Sequence, residues 1–191
     1  RRQRLPVYGP PGVRRIVDGF NLAYEEDARH RLDHHGPEVI DLAAAPMEAS
    51  PFGRRFGPGG DAEEVVLERD GLKVTAFQVD HGPVRPAVGY RFDWKGRSVV
   101  VSGETALSAN LTQNASGADV LVGESLAANL VGMGRQAALA QGNSRMAKIL
   151  ADIPDYHATP VEMAQMAREA GAKLLVYSHH VPSAQVGLPA Y

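Results

Sequence analysis

The chain has 191 residues, of which 44% are hydrophobic and 22% charged, values typical of a globular protein. Its formal net charge of -2 argues against a DNA-binding surface but leaves a local basic patch for RNA open. With no cysteine, disulfides, thiolate metal sites and cysteine nucleophiles are excluded. No apolar run is long enough to span a membrane, so no membrane partner is expected. No signal peptide is recognisable in these residues, so the cytoplasm is the default expectation, with an export signal on a longer precursor left open.

The first 62 residues predict a short strand, a helix and an irregular segment. An apolar run over residues 5–8 stops at the Gly-Pro-Pro-Gly sequence of residues 9–12, a strong breaker. Residues 13–32 space their apolar side chains as an amphipathic helix does. Residues 43–62 are rich in Ala, Pro and Gly, which predicts an irregular excursion, either a plain loop or a lid that lines a substrate site.

Residues 64–102 predict two β-hairpins. In each hairpin two apolar runs flank a two-residue turn, Asp70-Gly71 in the first and Lys95-Gly96 in the second. Asp-Gly is well suited to a tight turn. His81 lies in the loop that joins the two hairpins, a position where a histidine can serve as a ligand.

From residue 106 onward, predicted helices and strands alternate. Helices are expected over residues 106–115, 126–140 and 144–151, and strands over residues 119–122 and 173–177. Thr159-Pro160-Val161-Glu162 carries the capping box of a helix start, and Ala170-Gly171 ends that helix. Hairpins followed by this alternation predict a layered α/β protein, with residues 1–191 forming a single domain.

Four short polar patches each follow an apolar run. Polar side chains that interrupt strand-like sequence at separate places can converge at one edge of a sheet and assemble a metal or acid–base site. Each patch alone also has a plain alternative, because a lone histidine after a strand is more often a surface residue than a ligand. The patches are Asp80-His81-Gly82, Ser102-Gly103-Glu104-Thr105, His157-Ala158-Thr159-Pro160 and Ser178-His179-His180.

The order of these patches resembles the metallo-β-lactamase superfamily in its ribonuclease Z-like branch. The resemblance covers nearly the whole chain and implies the αββα sandwich of that family. It also implies that the protein is a metal-dependent hydrolase. The implied cofactor is zinc, with two ions in a complete site, and manganese or iron are the alternative metals. The segments that carry it are residues 5–12, Val79-Asp80-His81-Gly82, residues 89–92, 96–105 and 117–124, His157-Ala158-Thr159-Pro160 and residues 174–179.

The resemblance implies metal ligands residue by residue. His81 corresponds to a histidine that binds one of the two metal ions. Glu104 lies where the family places the carboxylate that bridges both ions. His179 corresponds to the last metal-binding histidine, with His180 as the alternative if the register differs by one residue.

The resemblance also implies two catalytic residues. His157 corresponds to a histidine beside the scissile bond that is not a ligand, and Glu124 to an acidic residue that orients it. In the implied mechanism a metal-bound hydroxide attacks and the ions stabilise the oxyanion. His157 would then protonate the leaving oxygen, with Glu124 stabilising its charged form. The net positive charge of such a site favours a phosphodiester substrate.

Three departures from the family pattern affect the expected site. The His-x-His-x-Asp-His motif that should precede Leu5 is absent, so the chain resembles the C-terminal two-thirds of the fold and is expected to lack its N-terminal portion. Glu104 stands in place of Asp, which adds a methylene to the bridging side chain. Gly123 stands where the family often has His, which is expected to reduce the support of the His157–Glu124 pair.

These features leave three functional hypotheses. The leading one is a metal-dependent phosphodiesterase of ribonuclease Z type. The second is a lactonase, thioesterase or arylsulfatase on the same scaffold, because a fold does not fix the substrate. The third is a metal-impaired, non-catalytic binding module, which Glu104 and the absent first motif motivate.

The expected partner is a small-molecule or phosphodiester substrate. RNA stays open, although the sequence between residues 9 and 60 is not Lys-rich or Gly-repetitive as a tRNA-gripping arm would be. Hydrolysis of a substrate smaller than tRNA is therefore expected over tRNA 3′ processing. A homodimer is also open.

Overall fold

The structure is a computed structural model that describes residues 4–53, 56 and 62–182. The chain forms two compact units that divide between residues 54 and 55. The first unit contains two strands that pair in parallel, β1 and β2, and two helices, α1 and α2. Their bounds are β1 Pro6–Gly9, α1 Val13–Ala23, α2 Glu25–His35 and β2 Glu48–Pro51.

Two predictions for the first unit differ from the structure. The single helix expected over residues 13–32 is two helices, because Tyr24 has φ -101° and ψ 8° and the acidic residues 25–27 favour a new helix N-terminus directly after it. The excursion expected over residues 43–62 includes a strand, β2. Its partner β1 is distant in sequence, so local composition gives no sign of that pairing. Residues 54, 55 and 57–61 of the excursion lie outside the described residues.

The second unit is built on a six-stranded mixed sheet. The strands lie in the order β3-β4-β5-β6-β7-β8, with antiparallel pairing from β3 to β6 and parallel pairing from β6 to β8. The strand bounds are β3 Glu63–Arg69, β4 Leu72–Val79, β5 Ala87–Trp94, β6 Arg97–Val101, β7 Val120–Leu126 and β8 Leu175–Val181. Strands β4, β6, β7 and β8 therefore run in one direction, and their carboxyl ends meet at one edge of the sheet.

Both predicted hairpins are confirmed. Asp70 and Gly71 have φ values of 52° and 79°, and Lys95 and Gly96 have φ values of 48° and 73°. Two successive residues with positive φ form the turn whose twist matches that of the flanking strands. These turns fix the register of β3 on β4 and of β5 on β6.

Helices α3 to α6 connect the later strands, which confirms the expected α/β class. Their bounds are α3 Ala109–Asn114, α4 Ala128–Ala140, α5 Ser144–Asp152 and α6 Pro160–Glu169, with a 3-10 turn at Ile153–Asp155. The capping box predicted for α6 is present, since Thr159 accepts from the Glu162 amide and Glu162 reaches back to the Thr159 amide. Helix α3 begins later than predicted, because Ser108 caps it by accepting from the Leu111 amide.

One face of the sheet packs against α3 and α6. Val100 and Leu121 on this face are fully buried, as is Met163 of α6. Around them lies a single apolar cluster, which is the main core of the second unit. Its members are Phe77, Val79, Val100, Leu111, Ala115, Ala118, Leu121, Ala158, Met163, Met166, Ala167 and Ala170.

The opposite face of the sheet is apolar but partly exposed. Phe92 pairs with Val99 across β5 and β6, and directly paired residues project from the same face. The exposed side chains are Phe92, Val99, Val101 and Val176. An apolar face of this kind can pack against a further layer. Among the described residues, no helix is long and apolar enough to cross a membrane.

Asp119 holds together the edge of the sheet opposite the polar patches. Its carboxylate accepts hydrogen bonds from Lys173 Nζ at 2.8 Å, the Ser98 amide at 2.8 Å and Arg97 Nη1 at 3.3 Å. The hydrogen bond from Lys173, followed by that from Ser98, lowers the pKa of Asp119 to about 2.

Asp119→Asn is expected to destabilise the protein at neutral pH and to have no effect in strong acid. A carboxyl pKa that is lower in the folded chain than its unfolded value of about 3.9 stabilises the fold above that value, and this contribution is lost as the pH falls towards about 2. Urea unfolding followed by circular dichroism from pH 7 to pH 2 measures it. Asp70→Asn at an exposed turn is the control. The prediction would be contradicted if the difference in unfolding free energy between the wild type and Asp119→Asn stayed the same down to pH 2.

Candidate metal centre

His81 follows β4 and is oriented by a backbone carbonyl. Its Nδ1 lies 2.9 Å from the carbonyl oxygen of Tyr156. Because a carbonyl can only accept, Nδ1 carries the hydrogen and Nε2 is left to bind another group. His81 Nε2 lies 3.1 Å from Glu104 Oε2, and the His81 side chain is only 10% exposed.

Glu104 lies in the loop after β6, which is tightly held. Gly103 has φ +66°, and a Cβ there would lie 2.5 Å from the carbonyl oxygen of Val88, so only glycine fits. The Asp80 amide donates to Thr105 Oγ1 at 3.2 Å, and the Ala106 amide donates to the Asp80 carbonyl at 2.7 Å. These bonds fix the Glu104 loop against the loop that carries His81.

His179 reaches the second oxygen of Glu104. Its Nε2 lies 3.0 Å from Glu104 Oε1, although His179 is in β8, far from Glu104 in sequence. His180, the alternative for this position, instead has its Nδ1 2.5 Å from Ser125 Oγ. Of the two adjacent histidines, the structure therefore brings His179 to Glu104.

Glu124 links His157 to the Glu104 loop. The Glu124 residue is only 2% exposed. Its Oε2 accepts from His157 Nδ1 at 2.5 Å, and its Oε1 accepts from the Thr105 amide. Both carboxylate oxygens of Glu124 therefore have hydrogen-bond partners. The sequence predicted weaker support for the His157–Glu124 pair because of Gly123, and in the structure the Thr105 amide contributes support from the other side of the carboxylate. A side chain at Gly123 would require Met163 to move, since its Cβ would lie 2.5 Å from Met163 Sδ and Cγ.

The four candidate groups form one cluster with a buried side and an open side. The ring of His157 lies 5.2 Å from the ring of His81 and 6.1 Å from the ring of His179. Ligand atoms of His81, Glu104 and His157 all lie within 4.8 Å of one another. The side chains of Glu104 and His179 are 47% and 53% exposed, whereas that of His157 is 7% exposed. The cluster is therefore more exposed on the side of Glu104 and His179.

The donor set fits a metal ion such as zinc. Each oxygen of Glu104 is paired with an imidazole nitrogen at 3.0 or 3.1 Å. Imidazole nitrogen and carboxylate oxygen are both donors that zinc binds, at about 2.0–2.2 Å. In addition, because His81 donates its Nδ1–H to the Tyr156 carbonyl, its Nε2 faces Glu104 Oε2 as an acceptor, an arrangement that a cation between the two atoms would satisfy.

Some groups at this site were not identified from the sequence. Tyr156 acts through its backbone carbonyl and through its ring, which lies 5.0 Å from the ring of His81 and 4.9 Å from that of His157. A backbone carbonyl gives no signal in a sequence. Thr105 belongs to one of the polar patches, but its amide contact with Glu124 depends on how two distant loops meet.

The chain belongs to the β-lactamase superfamily. Residues 1–180 match the family of β-lactamase superfamily domains. The chain is also 33% identical over 180 residues to a ribonuclease Z of Mycobacterium tuberculosis strain H37Rv, covering 94% of this chain and 57% of that protein. It is 34% identical over 183 residues to a ribonuclease Z of Mycobacterium avium, covering 96% of this chain and 57% of that protein. The chain thus spans little more than half the length of these relatives.

Solved structures confirm the fold. The short form of human tRNase Z matches with a TM-score of 0.60 at 16% identity, covering 93% of this chain and 61% of that chain. The metallo-β-lactamase fold protein YhfI of Bacillus subtilis matches with a TM-score of 0.53 at 17% identity, covering 93% and 53% of the two chains. The metallo-β-lactamase fold and the relationship to ribonuclease Z, both expected from the sequence, are confirmed.

Proposed function

We propose that this protein is a metal-dependent hydrolase that cleaves phosphodiester bonds, and that its substrate is an RNA. The observation that carries the proposal is the pairing of both Glu104 oxygens with histidine nitrogens, at 3.1 Å to His81 and 3.0 Å to His179. The relatives named ribonuclease Z support RNA as the substrate.

Zinc is the proposed metal, held by His81, Glu104 and His179. Imidazole and carboxylate donors suit zinc and also manganese and iron. Each Glu104 oxygen is matched to a different histidine, so these three residues would hold the metal together. When bound, the metal supplies an activated water nucleophile and stabilises the negative charge of the transition state.

His157 is the proposed proton donor. Its Nδ1 is occupied by the hydrogen bond to Glu124 Oε2, so Nε2 is the nitrogen that can hold a proton for the leaving oxygen. Glu124 keeps the ring in this orientation and stabilises the positive charge of the protonated ring. His157 is buried beside His81, so the leaving oxygen would have to reach its ring inside the site.

The charge at the site supports a phosphodiester over a neutral ester. Two neutral imidazoles and one carboxylate leave bound divalent ions with a net positive charge. A fixed positive charge in a partly buried site stabilises an anionic transition state most when the reacting group is itself anionic. Lactones and thioesters lack that charge, whereas aryl sulfates carry it and stay the nearest competing substrates.

A substrate panel tests the proposal. The zinc-loaded protein is assayed with bis-p-nitrophenyl phosphate, a tRNA substrate, an aryl sulfate and a lactone, and its metal content is measured. We expect bound zinc and turnover of the phosphodiesters, both lost in His179→Ala and both kept in His34→Ala, which changes an exposed histidine of α2. Turnover confined to the sulfate or the lactone would favour the second hypothesis. Metal-free, inactive protein would favour the binding module.

A further inference from the structure

We propose that the hydrogen bond between Ser125 and His180 is a positioning device that aims His179 at Glu104. The proposal rests on the proposed function, because it concerns the orientation of one of the residues that would hold the metal. Neither Ser125 nor His180 is assigned a part in the chemistry.

His179 lies in an irregularity of the sheet. Along the parallel pair of β7 and β8, Gly123 is paired with Tyr177 and Ser125 with His180. Strand β7 advances two residues between these pairs while β8 advances three, so β8 carries one extra residue, as in a β-bulge. Such a bulge interrupts the alternation of side chains and re-aims one of them. His179 is inside it.

The backbone of His179 needs external support. Its φ is +47°, in the left-handed region that residues other than glycine seldom occupy. A conformation of this kind persists where neighbouring structure holds it in place. The ladder resumes directly after the bulge, where the Ala127 amide donates to the Val181 carbonyl at 2.7 Å.

The Ser125–His180 bond lies at the point where the ladder resumes. Ser125 is only 4% exposed, and its Oγ lies 2.5 Å from His180 Nδ1. A buried hydroxyl needs a partner, and here that partner is the residue next to His179. The bond joins the side chains of two directly paired residues and fixes the backbone that follows the bulge.

Loss of this bond should therefore weaken metal binding from a distance. If β8 relaxes after the bulge, His179 can leave its left-handed conformation, and its Nε2 then moves away from Glu104. Side chains that orient a metal ligand without touching the metal typically change metal affinity by about 10–100-fold when removed.

The test uses Ser125→Ala and His180→Phe, singly and together. For each variant the zinc affinity of the metal-stripped protein, the visible spectrum of the cobalt(II)-loaded protein and the hydrogen exchange of β8 in the metal-free protein are measured. We expect zinc affinity to fall about tenfold, the cobalt spectrum to change and exchange over residues 178–181 to quicken. The double variant should bind zinc no more weakly than either single variant, since the two substitutions remove the same interaction.

Ser98→Ala is the matched control. Ser98 is also a buried serine, and its Oγ accepts from the Asp119 amide at 3.2 Å at the opposite edge of the sheet. Its removal should leave the zinc affinity and the cobalt spectrum unchanged.

His179→Ala, measured in parallel, separates the two possible failures. If His179→Ala weakens zinc binding but Ser125→Ala and His180→Phe leave affinity and spectrum at wild-type values, the positioning role is overturned while the proposed function stands. If His179→Ala also leaves zinc affinity unchanged, both are overturned. Additive losses in the double variant would equally overturn the coupling through this bond.

Discussion

Glu104→Ala is expected to lower the affinity for zinc by more than about a hundredfold, beyond the usual effect of losing an outer-sphere partner. The reason is that Glu104 faces two histidines at once, with Oε2 near His81 and Oε1 near His179. Its removal takes away the carboxylate that the two imidazoles share. Titration of the metal-stripped protein with zinc against a chelator of known affinity measures the loss.

The Glu104 series distinguishes a functional carboxylate from a damaged one. Glu104→Asp should also weaken zinc binding, because the shorter side chain withdraws from both histidines. A gain in affinity in Glu104→Asp would instead indicate that Glu is an impaired substitute for Asp. Glu68→Gln, at an exposed position of β3, is the control for removing a carboxylate elsewhere. A Glu104→Ala protein that binds zinc normally would exclude this residue as a ligand.

His157→Ala is expected to slow phosphodiester hydrolysis by about 100- to 10,000-fold, the usual contribution of a general acid or base. Zinc affinity should stay near that of the wild type, since His157 Nδ1 is bound to Glu124 and the ring is proposed to serve the leaving group. This combination separates a proton donor from a ligand, which matters because His157 lies close enough to His81 and Glu104 to join a metal site. A parallel loss of zinc would identify His157 as a ligand.

The leaving group provides a sharper test of the same role. A phosphodiester with a p-nitrophenolate leaving group needs little protonation, whereas one with an alkoxide leaving group needs much more. His157→Ala should therefore impair the alkyl substrate far more than the nitrophenyl substrate. Glu124→Gln should show the same pattern to a lesser degree, and His30→Ala on the exposed face of α2 is the control. Equal losses on both substrates would argue against proton donation.

The most accurate sequence predictions concerned features set by a few adjacent residues. The turn at Asp70-Gly71 and the capping box of Thr159 and Glu162 are both present. In each of these features the chain neighbours supply the hydrogen bonds or the permitted φ values themselves. The pairing of β2 with β1, which depends on a distant partner, was missed. The break between α1 and α2 at Tyr24 was also missed, although the acidic residues that follow it are local.

The sequence pattern also did not identify which face of helix α1 is buried. The apolar spacing of residues 13–32 includes Ile16 and Phe20, yet both are exposed, while Val13 and Val17 are buried. Periodicity identifies an apolar stripe, but which part of it is covered depends on what packs against the helix.

For the site, the sequence by itself determined which residues are available: His81, Glu104, His157 and His179, each after an apolar run, in the order of a known family. Only the tertiary structure decided how they lie relative to one another. It brought His179 rather than His180 to Glu104, through a bulge in β8 and a left-handed φ. The physical reason is that a ligand's direction is set by backbone geometry and by contacts between strands that are remote in sequence, and neither is encoded in the local pattern of residues.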